Sequence, residues 1–279
     1  MADLLQLVVA GLATGAIYAL VAIGFVLLWQ TSQTINFAQG EFVMIPAFFV
    51  LAAMKFGGAS FPVAIAVGLV VSLLVLGLLF KRVVVDPMIR HGVLPLVIST
   101  IAVGLLLKEG AKEFYAADAQ PFPALWATTN LHVAGAAISV QNLVIIGVAV
   151  AAVAALQYFL AGTRTGRSMQ ATAQNPALAR ILGIAVDRMI LYTFLINAGL
   201  VALASFLISP IYLAKFTNGE ALGLAAFIAA IVGGFNQVRG AIVGGLLLGV
   251  VDNIVAHYLS AQYRAALPLF LLIAVLLFR

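Results

Sequence analysis

An all-α polytopic membrane protein with about eight or nine transmembrane helices is the fold class this sequence predicts. Two observations predict it. First, 65% of the 279 residues are hydrophobic and only 8% are charged, whereas soluble domains are roughly 45–50% apolar and about 25% charged. So few charges cannot cover a water-facing surface, and the mean hydropathy is +1.19. Second, the apolar residues fall in runs of membrane-crossing length, about 20 residues. These runs leave almost nothing for a soluble domain, so residues 1–279 are read as a single transmembrane domain.

The runs are 4–29, 36–54, 61–80, 93–107, 138–161, 189–213, 220–235, 240–260 and 265–278. The first is too long for a signal-peptide core and lacks a basic flank, since no Lys or Arg precedes Lys55. It is read as a retained first helix. The second, fourth and seventh runs are short or interrupted by polar residues, as half-helices or re-entrant segments are. Small-xxx-small pairs at Gly11/Gly15, Gly219/Gly223, Gly240/Gly244 and Gly245/Gly249 are read as close helix contacts.

Charge sets the orientation. With nine crossings that begin outside, residues 81–92 and 162–188, Arg239 and Arg279 fall inside with nine basic residues. Lys55, Lys108, Lys112, Lys215 and Arg264 fall outside, five in all. Basic loops stay cytoplasmic, so the N-terminus is expected outside and the C-terminus inside. The net charge of +5 follows from those retained arginines. No basic tract interleaved with aromatics points to nucleic acid. There are no cysteines, hence no disulfide or thiolate metal site, and no metal or cofactor is expected. His257 stands alone near a helix end and is read as interfacial.

The loop at 163–188 is the longest strongly basic interruption. Its chemistry is that of two short helices. Arg167 to Gln174 holds good helix formers. Asn175 suits the cap of a second helix, Pro176 its first position, and Gly183 the left-handed residue that ends it. Leu178, Ile181 and Leu182 then share one face. A two-turn helix is unstable alone, so the stripe either packs on this chain's own helix ends or docks into a partner's groove.

Ionisable groups inside spans are functional suspects. Asn36, Gln39, Gly40 and Glu41 form a polar patch where Gly40 permits an irregular backbone. It is either a broken-helix gate or pathway element, or a helix start capped by Glu41. Asp252 and Asn253 sit in the eighth run, where Asp252 faces either the subunit interface or an aqueous cavity, or hydrogen-bonds a neighbouring helix. Asn197 is read chiefly as interhelical glue. Asn218 and Glu220, near the outer end of the seventh run, either meet a binding protein or cap the helix, and capping is the preferred reading. The pathway is expected to be weakly polar or apolar, without a charged ligand set for a substrate.

Several of these segments resemble one family. Gly166-Arg167, Ala171, Asn175-Pro176, Ala179 and Gly183-Ile184 are similar to the coupling-helix loop of permease subunits of ATP-binding-cassette importers of the branched-chain amino acid type. So are Gly15-Ala16-Ile17-Tyr18-Ala19-Leu20, the stretch Ile35 to Phe42, and the pair Ala229–Gly234 and Gly240–Gly245. The family commonly has His at position 39 and often Asp at 175. The central 108–137 segment is least similar. The resemblance implies a bacterial inner-membrane permease with a cytoplasmic coupling helix. It also implies a homologous second permease, two cytoplasmic ATP-binding subunits, a periplasmic substrate-binding protein, and leucine, isoleucine and valine as cargo. The chain contains no Gly-x-x-x-x-Gly-Lys-Ser/Thr and no Gly-Lys pair, so a phosphate-cradling loop would have to come from a partner. The rival readings are an ion-coupled secondary transporter or channel for small amino acids, amides or urea, which inverted repeats would favour, and an intramembrane enzyme. No convincing repeat appears, and no His-Glu-x-x-His or Gly-x-Ser-x-Gly motif is present.

Overall fold

The structure, a computed structural model of the chain, describes residues 2–115, 118–124, 129–133, 136–260 and 266–278. Arg264 and Arg279, one from each side of the charge count, lie outside the described residues. In hydrocarbon every backbone donor and acceptor must be satisfied within the protein, and the apolar runs accordingly form helices. They are α1 (Ala2–Ser32), α2 (Gln39–Lys55) and α3 (Phe61–Ser72). The last continues through π-helical turns at Leu73–Leu79 and Lys81–Val85 into α4 (Asp86–Ile89). Then come α5 (Val93–Tyr115), an antiparallel hairpin of β1 (Asn130–Val133) and β2 (Ala136–Ser139), and α6 (Val140–Gly162). Two short helices follow, α7 (Arg164–Gln174) and α8 (Pro176–Ile181). The chain ends with α9 (Val186–Tyr212), α10 (Asn218–Gly233), α11 (Val238–Tyr258) and α12 (Ala266–Phe278).

Among the described residues, six helices are long and apolar enough to cross a membrane: α1, the continuous rod Phe61–Ile89, α5, α6, α9 and α11. The expected eight or nine is not reached on length alone. Helix α2 has 17 residues, α10 has 16 and α12 has 13. At about 1.5 Å per residue each falls short of a hydrocarbon core of about 30 Å. Helix α5 runs to Tyr115, well past the expected end at 107. Lys108, Glu109, Lys112 and Glu113 end the hydrophobic run without ending the helix, because they are good helix formers. Lys112 also pairs with Glu109 at 2.6 Å, one turn away.

Helix α1 is the axis of the bundle. It is buried against α6, α9, α10 and α11, which is why it shows no polar face. Its partner α11 runs antiparallel to it, Gly11 lying on Val250 and Ala19 on Gly245. A Cβ added at Gly249 would sit 2.2 Å from the Gly15 backbone nitrogen. The other glycine pairs are contact points too. A Cβ on Gly40 of α2 would lie 2.4 Å from the Gly219 carbonyl oxygen, and one on Gly240 would lie 1.8 Å from that of Gly233.

Between α1 and α2 the chain leaves the helical conformation at residues 33–38. Buried protein contacts make that tolerable at membrane depth. The Asn36 side-chain oxygen accepts from the Ala38 N–H at 3.0 Å, and the Phe37 N–H donates to Thr100 Oγ1 at 3.2 Å. Helix α2 then runs parallel to α9. Gln39 meets Asn197, and eight residues later the Ala47 N–H donates to Ser205 Oγ at 3.1 Å.

Gln39 and Asn197 are fully buried and form a reciprocal amide pair. Gln39 Nε2 donates to Asn197 Oδ1 at 2.7 Å, and Asn197 Nδ2 donates to Gln39 Oε1 at 3.0 Å. Gly24 makes room for it, since a Cβ there would lie 2.0 Å from Asn197 Oδ1. An Asn197→Leu variant, which strands the Gln39 amide, is expected to lose about 1–3 kcal/mol. Adding Gln39→Leu should return part of that loss. Thermal unfolding of the purified protein in detergent measures both.

Candidate functional site

Two places carry chemistry. The first is an open-sided cavity of about 370 Å³ between α1, α2, α5 and α10. Its walls are mostly apolar: Phe25 of α1, Ile101 and Leu105 of α5, Leu224 and Phe227 of α10, and Phe37 of the non-helical break. Gly40, Gly104, Gly219 and Gly223 also line it, and a Cβ on Gly40, Gly219 or Gly223 would meet the backbone of the facing helix, so these three set the close α2–α10 contact at its edge. Glu41 and Glu220 face into it. Glu41 stands in the first turn of α2, where a carboxylate complements the helix dipole. Lys108 of α5 forms an ion pair with Glu220 of α10, its side chain only 15% exposed. Glu41 interacts electrostatically with both charges. Two acids thus line a largely apolar hollow, and the base Lys108 stands beside it, bonded to one of them.

Of the seven pathway candidates read from the sequence, the structure places Gly40 and Glu41 in this cavity. Asn36, Gln39 and Asn197 are buried beside it and spend their polar groups on one another and on backbone. Asp252 and Asn253 lie elsewhere, at the α1–α11 contact. Tyr18 donates to Asp252 Oδ2 at 3.1 Å, and Asn253 Nδ2 donates to Thr14 Oγ1 at 3.2 Å. Thr14 and Tyr18 border a second, smaller cavity of about 180 Å³ with Tyr212 and Asn218.

Lys108 and Glu220 escaped the sequence reading. Lys108 was expected in an outer loop and Glu220 as a helix cap. Glu220 is in the first turn of α10, but its carboxylate reaches across to α5. The available signal was the opposite charge of Glu109 and Lys112 at i, i+3, a pairing that supports a helix across the end of the apolar run.

The second place is the 163–188 loop. Helix α7 folds back on α6, held by buried Met169 and Thr172. Thr163 Oγ1 accepts from the Gly166 N–H at 2.9 Å as its cap. Gly166 is required there, because a Cβ would lie 2.1 Å from the Phe159 carbonyl oxygen. Arg167 is exposed and Ala171 half-buried. Helix α8 is built as its sequence implies. Asn175 Oδ1 accepts from the N–H groups of Ala177 and Leu178 at 3.1 and 3.0 Å, and Pro176 takes the first position. Gly183 ends the turn at φ +78°, and the Ile184 N–H closes on the Ala179 carbonyl at 2.9 Å.

Only Ala179 is buried against the rest of the chain. Leu178, Ile181 and Leu182 are 56%, 81% and 76% exposed. The stripe therefore does not pack on this chain's own helix ends. The neighbouring Arg180–Asp187 pair, at 3.8 Å and exposed, adds little to stability. An Asn175→Ala variant is expected to lose about 0.5–2 kcal/mol of α8 stability, read as faster amide exchange at Ala177 and Leu178.

Comparison with known proteins points one way. The family described as "Branched-chain amino acid transport system / permease component" matches residues 7–276. The chain is 33% identical to the high-affinity branched-chain amino acid transport system permease protein LivH of Escherichia coli K12, over 98% of this chain and 92% of the relative. It is 32% identical to BraD of Pseudomonas aeruginosa, described in the same words, over 99% and 94%. Among solved structures, PsaBC from Streptococcus pneumoniae in complex with Fab aligns with a TM-score of 0.52 at 14% identity, over 97% of this chain and 89% of that one. That last likeness concerns the fold alone.

Proposed function

Since this chain belongs to the branched-chain amino acid transport permease family, we propose that it is the transmembrane permease subunit of an ATP-driven importer for branched-chain, hydrophobic amino acids. In this reading residues 1–279 form one transmembrane domain. A homologous second permease completes the translocation pathway, two cytoplasmic ATP-binding subunits supply the energy, and a periplasmic binding protein delivers the cargo. The N-terminus lies in the periplasm and the C-terminus in the cytoplasm. With Lys108 and Lys112 inside α5, fewer basic residues remain for the outer loops, which favours that orientation.

The observation that carries the proposal is the capped, ordered α8 with its stripe of Leu178, Ile181 and Leu182 left in the open. Three apolar side chains on one face of a short helix beside a basic loop fit a groove on a partner, and the partner is the ATPase. Asn175, Pro176, Ala179 and Gly183 shape and hold that helix, and Gly166, Arg167 and Ala171 of α7 complete the coupling segment. The cavity is a second support. Charged groups on an open flank of a membrane protein do not face lipid, so the α2–α5–α10 flank with Glu41 and Glu220 faces the second permease and the aqueous path. Affinity purification of the tagged chain from its native membrane tests the proposal. The tag is expected to recover an ATP-binding subunit and a second permease in defined stoichiometry. Recovery of the chain alone, from membranes where uptake is intact, would overturn it.

A further inference from the structure

We propose that the α1–α2–α5–α10 cavity is a transient binding site for a hydrophobic zwitterion, with Glu41 receiving the ammonium group and Lys108 the carboxylate. The inference rests on the importer reading and adds what that reading does not contain, a residue-level site inside this subunit. At about 370 Å³ the cavity falls within the roughly 300–1,000 Å³ typical of small-molecule sites. Its aromatic and aliphatic walls, Phe25, Leu224 and Phe227 among them, suit an apolar side chain. Glu41 and Glu220 line it and Lys108 stands beside it on Glu220, and these charges suit the other end of such a molecule.

Lys108 is held by Glu220, which leaves Glu41 with no basic side chain bonded to it among the described residues. Gly104 lies beside that carboxylate, where a Cβ would come into ordinary contact with Glu41 Oε2 at 3.5 Å. The three protein charges sum to minus one. An entering ammonium neutralises Glu41. The ligand's carboxylate then competes with Glu220 for Lys108, an exchange of one carboxylate for another on a single ammonium. No covalent bond changes. Because Glu220 is 62% exposed at its side chain, its release into an aqueous path is inexpensive compared with stranding a buried ion. The protein's own pair therefore fills the site when it is empty and gives way when cargo arrives, which favours passage over retention.

Photo-leucine, carrying a diazirine on its side chain, tests this during turnover of the complete importer in proteoliposomes with ATP. Irradiation is expected to label the α5 and α10 segments around Ile101–Leu105 and Leu224–Phe227. Glu41→Gln is expected to lower that labelling and the uptake at least ten-fold, and Glu41→Asp to restore most of both. The wild-type label decides the location even if Glu41→Gln fails to assemble. Label confined to other segments while uptake proceeds would overturn the site and leave the importer reading standing. Wild-type labelling and uptake in Glu41→Gln would overturn the role given to Glu41. A complete complex that takes up no leucine with ATP would instead overturn the importer reading itself.

Discussion

A Leu178→Asp, Ile181→Asp double variant is expected to fold normally and lose its ATPase. Both side chains are exposed, and neither touches what builds α8. The Asn175 cap, the Gly183 turn and the buried Ala179 contact stay in place. The loss falls on the partner. Burying a Leu or Ile side chain is worth about 1.5–3 kcal/mol, so removing two withdraws roughly 3–6 kcal/mol from the docking. That corresponds to about a hundredfold to ten-thousandfold weaker association. Two new carboxylates in the same groove also add desolvation. Co-purification of the ATP-binding subunit and cargo-stimulated ATP hydrolysis measure the effect. Unchanged hydrolysis and unchanged recovery would remove α8 from the coupling role.

A large effect on stability is expected at Gly249, on the central contact of the bundle. A Cβ there meets the Gly15 nitrogen at 2.2 Å, the Gly15 Cα at 2.3 Å and the Gly11 carbonyl oxygen at 2.6 Å. All three are backbone atoms, so no side chain can rotate away. Gly249→Val forces α1 and α11 apart along the central contact of the bundle. In lipid, helices associate through packing with little hydrophobic drive between them. Overpacking commonly costs about 1–3 kcal/mol, and this site should reach or exceed the upper end. Gly147→Ala is the matched control, because a Cβ at Gly147 of α6 has nothing within 4 Å. Gly249→Val should lower the unfolding temperature in detergent and the yield from membranes, and Gly147→Ala should leave both near wild type. Equal behaviour of the two would mean that α1 and α11 do not pack as described.

How far these features were legible in the sequence varies with their physics. Local chemistry read well. Asn175, Pro176 and Gly183 act through their immediate neighbours, so their order along the chain specifies the α8 caps. The glycine spacings marked helix contacts for a similar reason, although the partner of each stripe was not legible. What hydropathy hid was the charge inside α5. A window that counts apolar residues stops at Lys108, whereas the helix continues because its backbone bonds do not depend on side-chain polarity. The Lys108–Glu220 pair joins residues 112 positions apart, and nothing local announces it. Gln39 and Asn197 show the same limit. Gln39 looked like a pathway candidate and Asn197 chiefly like interhelical glue, and nothing in the sequence said that each satisfies the other across two helices. The α1–α2–α5–α10 cavity is lined by two acids, Glu41 and Glu220, with Lys108 paired to the second, an arrangement that apolar runs alone do not disclose.

The most direct test of the central claim is leucine uptake into proteoliposomes with the components separated. The vesicles contain either this chain alone or the complete set of second permease, ATP-binding subunits and binding protein. A permease subunit that receives its energy through α8 predicts uptake only from the complete set, only with hydrolysable ATP, and none when Leu178 and Ile181 are both replaced by Asp. Uptake by this chain alone, without ATP and driven by an ion gradient, would contradict it.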